Sequence, residues 1–334
     1  MKPFLLFATI FLLLLATSNI FATPLTKQKL KPLENRTAKA MQCVAFSPYV
    51  GDINPDYGPQ PSHALIDTLL DKLVKETRFR CLMTYGVLNG LDYTFAAAEA
   101  RKLKVIAIIW LDKDTKVNDQ SIAKGIEAAK AFPTTIVKLS CGSEVRTRHG
   151  NVFDGEIVKC IDNLHKAEIK QPITTIDTWW EWCNRAAPCQ PTGFEAKVDW
   201  IGINIFPWWE NKHAGVHSCV PADMATDFHI ARMEEVRGAY PGKDVVLTEF
   251  GWPNGPEGAT ETNKNTGEKC GVASKKNQVN VIKSTLQKLV KKNWSGNVFE
   301  AFSENWKPKD EGDFGSYWGI CEGKPPYRCL KDYK

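Results

Sequence analysis

The chain has 334 residues, 43% hydrophobic and 24% charged, with a formal charge of +5 and a pI near 8.6. That balance suits a folded globular protein and excludes collagen-like, low-complexity and disordered classes. Its basic residues are dispersed except for Lys27, Lys29, Lys31, Arg36 and Lys39, which read as a solvated tail rather than a nucleic-acid arm.

Residues 1–22 have the pattern of a secretory signal: Lys2, an apolar run from Phe4 to Ala16, and small residues at Ser18 and Ala22 for cleavage. A polar tail over 23–40 follows, and 41–334 is expected to be one folded domain. No later stretch has the roughly 18 apolar residues of a membrane span. The expected product is secreted, extracellular or wall-associated and monomeric, with no membrane contact after cleavage. Ten cysteines fit an oxidising compartment. Cys183/Cys189 and Cys321/Cys329 are the preferred pairs, whereas Cys81 and Cys141, in apolar runs, could equally be buried thiols. No Cys-x-x-Cys or clustered His is present, so neither metal nor cofactor is expected. Asn35 and Asn293 head glycosylation sequons.

In chain order, strands are expected to start at about 42, 79, 104, 136, 173, 199, 245 and 297, separated by helical patterns such as Ile66, Leu69, Leu70 and Leu73. Eight short apolar strands alternating with helices point to an α/β fold, a single (β/α)8 barrel, and leave no room for a second domain. An open doubly wound sheet is the rival, but the chain lacks its Gly-rich phosphate loop.

A barrel gathers its strand ends into one cleft. Those ends carry Tyr49, Tyr85, Trp110, Glu144, Trp179, Phe206, Glu249 and Glu304, with the eighth strand expected over Asn297–Phe302. Carboxylates can hydrogen-bond hydroxyls and protonate glycosidic oxygens, and aromatic faces stack on sugar rings. The 11 Trp residues concentrate in loops such as Trp179-Trp180-Glu181-Trp182 and Phe206-Pro207-Trp208-Trp209. Core packing is the ordinary role of a Trp, and sugar contact stands beside it as the alternative.

The chain resembles glycoside hydrolase family 17, the β-1,3-glucanases and glucanosyltransferases among the clan A retaining barrels. The likeness covers nearly all of the mature chain. It rests on Ala45-Phe46-Ser47-Pro48-Tyr49, Thr84-Tyr85-Gly86, Gly142-Ser143-Glu144-Val145 and Asn204-Ile205-Phe206-Pro207-Trp208-Trp209-Glu210. Thr248-Glu249-Phe250-Gly251-Trp252-Pro253 and Phe299-Glu300-Ala301-Phe302-Ser303-Glu304-Asn305-Trp306-Lys307 complete it.

The resemblance implies Glu144 as general acid/base and Glu249 as nucleophile on a β-1,3-glucan. Tyr85, Ser143, Phe206, Trp208, Trp252, Glu304 and Lys307 are the expected substrate-binding residues. Clan A enzymes usually carry Asn where Ser143 stands, and Ser reaches less far toward the sugar 2-hydroxyl. Retention asks for carboxyl groups roughly 5–5.5 Å apart. Two alternatives stay open: a glucanosyltransferase, favoured by acceptor-side aromatics such as Trp182 and Trp209, and a barrel that binds glucan without cleaving it.

Overall fold

The computed structural model describes residues 40–210, 219–263 and 266–334. The leader, the basic cluster and the Asn35 sequon lie outside them. Among the described residues ten strands run in chain order: β1 (Gln42–Phe46), β2 (Cys81–Tyr85), β3 (Lys104–Ile109), β4 (Ile136–Ser143), β5 (Ile173–Thr178), β6 (Trp200–Asn204), β7 (Asp244–Phe250), β8 (Thr260–Thr262), β9 (Lys269–Val272) and β10 (Gly296–Val298). All but β8 and β9 close a barrel of order β1-β10-β7-β6-β5-β4-β3-β2, each neighbour pair parallel. β8 and β9 form an antiparallel hairpin in the loop after β7, which the sequence pattern did not reveal.

Strand alternation sorts the core into two layers. Ala45, Met83, Ile106, Ile108, Ile176, Trp200 and Val246 pack together as one cluster. The alternate positions, among them Val44, Leu82, Val105, Leu139, Ile203 and Leu247, meet the helices in the larger one. The helix His63–Glu76 shows how sequence sets this layer. Ser62 caps it by accepting from the Leu65 N–H, and Ile66, Leu69, Leu70 and Leu73 form its buried face.

Two readings need correction. Cys81 and Cys141 are not free thiols: Cys43–Cys81 and Cys141–Cys160 are disulfides, beside Cys183–Cys189, Cys219–Cys270 and Cys321–Cys329. Parallel pairing of β1 with β2 sets Val44 opposite Leu82 and so brings Cys43 beside Cys81, a neighbourhood no local pattern reports. The eighth barrel strand also stops at Val298 rather than Phe302. Beyond it the backbone turns to the C-terminal segment: Ile320 N–H donates to Glu300 O (2.9 Å), Cys321 N–H to Ala301 O (2.9 Å) and Ser303 N–H to Cys321 O (3.0 Å). Glu304 therefore lies in an irregular segment, not at a strand tip.

Candidate active site

Both catalytic candidates stand at the C-terminal mouth of the barrel, but the chain reaches them differently. β4 breaks register with β5 between Ser140 and Ser143, an irregularity of the kind that re-aims a side chain. Gly142 permits it: its φ is +81°, and a Cβ there would meet Val145 Cγ2 at 2.3 Å. Glu144 follows in the left-handed region at φ 54°, just before the short helix Val145–His149. Its N–H donates to Ile176 O on β5 at 2.8 Å. Its Oε1 accepts from Asn204 Nδ2 on β6 at 2.9 Å, and Asn204 Oδ1 in turn accepts from Thr248 Oγ1 at 2.8 Å.

Glu249 lies within the extended run of β7, with Asn204 as its register partner across β6. One residue thus links both glutamates: Asn204 bonds Glu144 through its side chain and neighbours Glu249 through its backbone. Glu249 Oε1 accepts from Tyr85 Oη at 2.7 Å. Gly251 then lets the chain crowd against the end of β10, since a Cβ there would meet Phe299 O at 2.3 Å. Among the predicted residues, Tyr85 and Glu249 are joined directly, and Glu144 is linked to this pair through Asn204.

Burial moves both carboxyls in the same direction. Loss of water raises Glu249 to about 8, and the Glu144 charge adds to it. Tyr85 and Lys307 oppose the rise. Burial also raises Glu144 above the ordinary carboxylate range, against Asn204 and Arg148. Arg148 stacks over Trp110, 4.3 Å from the ring centroid, and donates to Leu111 O (2.8 Å) and Ser143 O (3.1 Å). Asp177, at the end of β5, is raised to about 7, first by burial and, against the Thr147 bond, by the Glu144 charge.

Beside Glu249 lies a buried ionic cluster. Lys307 pairs with Glu300 and, at 3.0 Å, with Glu304, and all three side chains are buried. Burial alone would lower the Lys307 pKa, but the charges of Glu300, Glu304 and Glu311 outweigh it and hold the ammonium charged. Glu304 and Lys307 are thus brought together as a pair, with Glu300 as a third member the sequence reading gave no role.

The aromatic expectations divide. Phe206 is half-buried, edge-on to Phe299 and Trp318, each at 5.3 Å. Trp208 and Trp252 have no exposed surface. They pack edge-to-face at 5.2 Å, within a cluster that includes Val281 and Trp318, so in this structure neither offers a face to a sugar. Trp182 is also buried, its Nε1 donating to Gly202 O at 2.9 Å, while Trp209 stays partly open. Ser143 is nearly covered at 4% exposure. Tyr49 donates to Gln60 Oε1 at 3.0 Å and shares a small recess with Tyr85.

Asn204, Glu300 and Asp177 were missed. Asn204 sits within the sixth-strand motif as an uncharged strand residue, Glu300 is an acid inside an apolar run, and Asp177 is an acid in a strand of Ile and Thr. An acid or amide in a buried run needs a partner, and that was the available signal.

The family model described as the BtgE/BtgC glycoside hydrolase domain matches residues 43–319. A glucan 1,3-beta-glucosidase of Arthroderma benhamiae is 27% identical over 244 residues, 69% of this chain and 73% of that one. A Saccharomyces cerevisiae protein assigned to the family 17 glucosidases is 25% identical over 85% of this chain, which spans 65% of its length. A solved family 17 beta-1,3-glucanosyltransferase of Rhizomucor miehei shares the fold at a TM-score of 0.64 and 18% identity, over 88% of this chain and 97% of that one. The chain belongs to glycoside hydrolase family 17 through its BtgE/BtgC glycoside hydrolase domain.

Proposed function

We propose that this protein is an exported retaining glycosidase acting on β-1,3-glucan, with Glu249 as nucleophile and Glu144 as acid/base. The observation that carries this reading is the pair of glutamates at one barrel mouth, Glu249 in the field of the Glu144 charge, with Asn204 bonding the Glu144 carboxylate and lying opposite Glu249 in the β6–β7 ladder. Family membership supports the chemistry, and the names of its relatives support the glucan. Five disulfides support passage through an oxidising compartment.

In the first step Glu249 attacks the anomeric carbon as its C–O bond to the leaving sugar breaks. Glu144 delivers its proton to the departing oxygen. Water, deprotonated by Glu144, then releases the sugar from Glu249. The working microstate holds one proton, on Glu144. Burial favours that neutral acid, while the Tyr85 hydroxyl and Lys307 favour the Glu249 anion. In the empty cleft burial opposes the Glu249 charge too, so the pair titrates as a unit and its apparent values belong to both groups. A bound glycosidic oxygen selects the form with the proton on Glu144, because only that form donates to it.

Laminarin digestion tests the reading. Release of shorter oligosaccharides with new reducing ends is expected, and a folded protein that releases none overturns it. The same digest sorts water from sugar as acceptor: products longer than the donor identify transfer.

A further inference from the structure

Asp177 lies at the end of β5, at 3% exposure, with three hydrogen bonds converging on its carboxylate. Arg146 N–H donates to Oδ2 at 2.9 Å, Thr147 Oγ1 to Oδ1 at 2.6 Å, and Thr178 N–H to Oδ1 at 2.8 Å. Two of these donors sit two and three residues after Glu144, on the first turn of the helix Val145–His149. The residue before Asp177 also takes part: Ile176 O accepts the Glu144 N–H at 2.8 Å.

The end of β5 therefore grips the chain on both sides of the acid/base. Such a grip has a physical purpose. Glu144 occupies the left-handed region at φ 54°, which costs a residue with a Cβ of order 1–2 kcal/mol. A conformation of that kind persists only where its surroundings impose it. The helix it leads is a single turn, too short to hold itself. Its other side-chain ties run elsewhere, among them Arg146 Nε to Asp154 at 3.2 Å, Arg148 to Ser143 O and Leu111 O, and Arg148 and His149 to Asp112. The Arg146 N–H and the Thr147 hydroxyl, just after Glu144, go to Asp177.

We propose that Asp177 is a positioning residue for the acid/base, holding Glu144 in its left-handed turn so that its carboxyl meets Asn204 and the leaving oxygen. It touches no reacting atom in this scheme, and the proposal rests on the reading of Glu144 given above. An acid displaced from the leaving oxygen harms substrates in proportion to how much protonation they need. Loss of folded protein, by contrast, lowers all substrates equally.

The test measures kcat/KM of Asp177→Ala and Asp177→Asn on a laminarioligosaccharide and on a dinitrophenyl β-glucoside-type donor with an activated leaving group. The oligosaccharide value is expected to fall about 10–100-fold, a part of what a whole acid/base contributes, and the activated donor by less than about 3-fold. Thr147→Val, which removes one of the three donors, is expected to show the same split at a few-fold and serves if the Asp177 variants fold poorly. Equal losses on both donors, or none, overturn the proposal. Glu144→Ala run in parallel separates the two levels. If it shows no leaving-group split, the reading of Glu144 fails. If it shows one and the Asp177 and Thr147 variants do not, only the role of Asp177 fails.

Discussion

Glu144 and Glu249 share one barrel mouth, yet the two flanks hold them by opposite means. On the Glu144 flank the backbone does the aiming: a register break, a positive-φ glycine, a left-handed glutamate and a one-turn helix tied to β5. On the Glu249 flank β7 also shifts register against β6 and β10, but the glutamate stays inside the extended strand and side chains set its environment, with Tyr85 as direct donor and a buried Lys307 between Glu300 and Glu304. A shaped backbone suits a group that must hand a proton to an oxygen in one direction. A field of donors and a buried cation suits a group that must be an anion when it attacks.

The largest effects come from removing the carboxylates themselves. Glu249→Ala is expected to abolish turnover of every glycoside, on the order of 10⁴-fold or more, because no covalent intermediate can form. Initial rates on both activated and natural donors check it, and residual activity on either within about 10-fold of the parent contradicts it. Glu144→Ala is expected to cost about 10²–10⁴-fold on glucan and far less on an activated donor.

The next variant breaks the ionic side of the comparison. Lys307→Met leaves Glu300 and Glu304 buried without their cation and is expected to cost about 3–5 kcal/mol of stability. Glu300, whose folded pKa burial already holds well above its unfolded value, then loses the cation that opposes the rise. The loss is small while Glu300 stays protonated in both states and grows as pH rises through the unfolded value near 4.5. Urea midpoints at pH 5 and pH 8 measure it, and a variant no weaker at pH 8 contradicts it. A smaller change tests the backbone flank. Cys183–Cys189 closes a loop of sequence separation 6 beyond β5, and Cys183→Ala/Cys189→Ala is expected to cost about 2 kcal/mol by loop-closure entropy. Thermal midpoints of the double variant check it, and an unchanged midpoint contradicts it.

Tyr85→Phe is the mildest and concerns charge alone. The Tyr85 bond lowers the Glu249 pKa, so its loss raises the value at which the nucleophile ionises. The acidic limb of kcat/KM against pH is expected to move to higher pH, with a drop of about 10-fold at pH 5, where the anion is scarcer. A limb that stays put, or moves down, contradicts the role given to the hydroxyl.

The flank whose glutamate stays inside its strand was the more legible one in the sequence. Val245–Glu249 is an apolar run ending in a carboxylate before Gly251 and Pro253, and such a run announces both a buried strand and its tip. Strand starts were readable throughout for the same reason. What escaped depends on partners far along the chain. Past Val298 the chain divides its backbone bonds: Phe299 and Ala301 N–H still reach Phe250 and Ala45, while Glu300 and Ala301 carbonyls accept from residues 320 and 321. Trp208 and Trp252 stand among polar loop residues, but Trp318 and Val281, distant in sequence, bury them. Cys43 meets Cys81 only once β1 lies beside β2. Asn204 is an amide in a strand, and its meaning comes from Glu144, which lies 60 residues away.

The central claim is the division of roles between the two flanks, and azide tests it most directly. Glu144→Ala, given an activated aryl donor, is expected to accumulate a glycosyl-enzyme on the peptide carrying Glu249. Added azide should speed its release as the β-glycosyl azide, because the deleted carboxylate leaves space for a small anion that needs no general base. Glycosyl-enzyme on the Glu144 peptide of a Glu249→Ala variant, released by azide with retention while Glu144→Ala stays inert, would mean that the two roles are reversed.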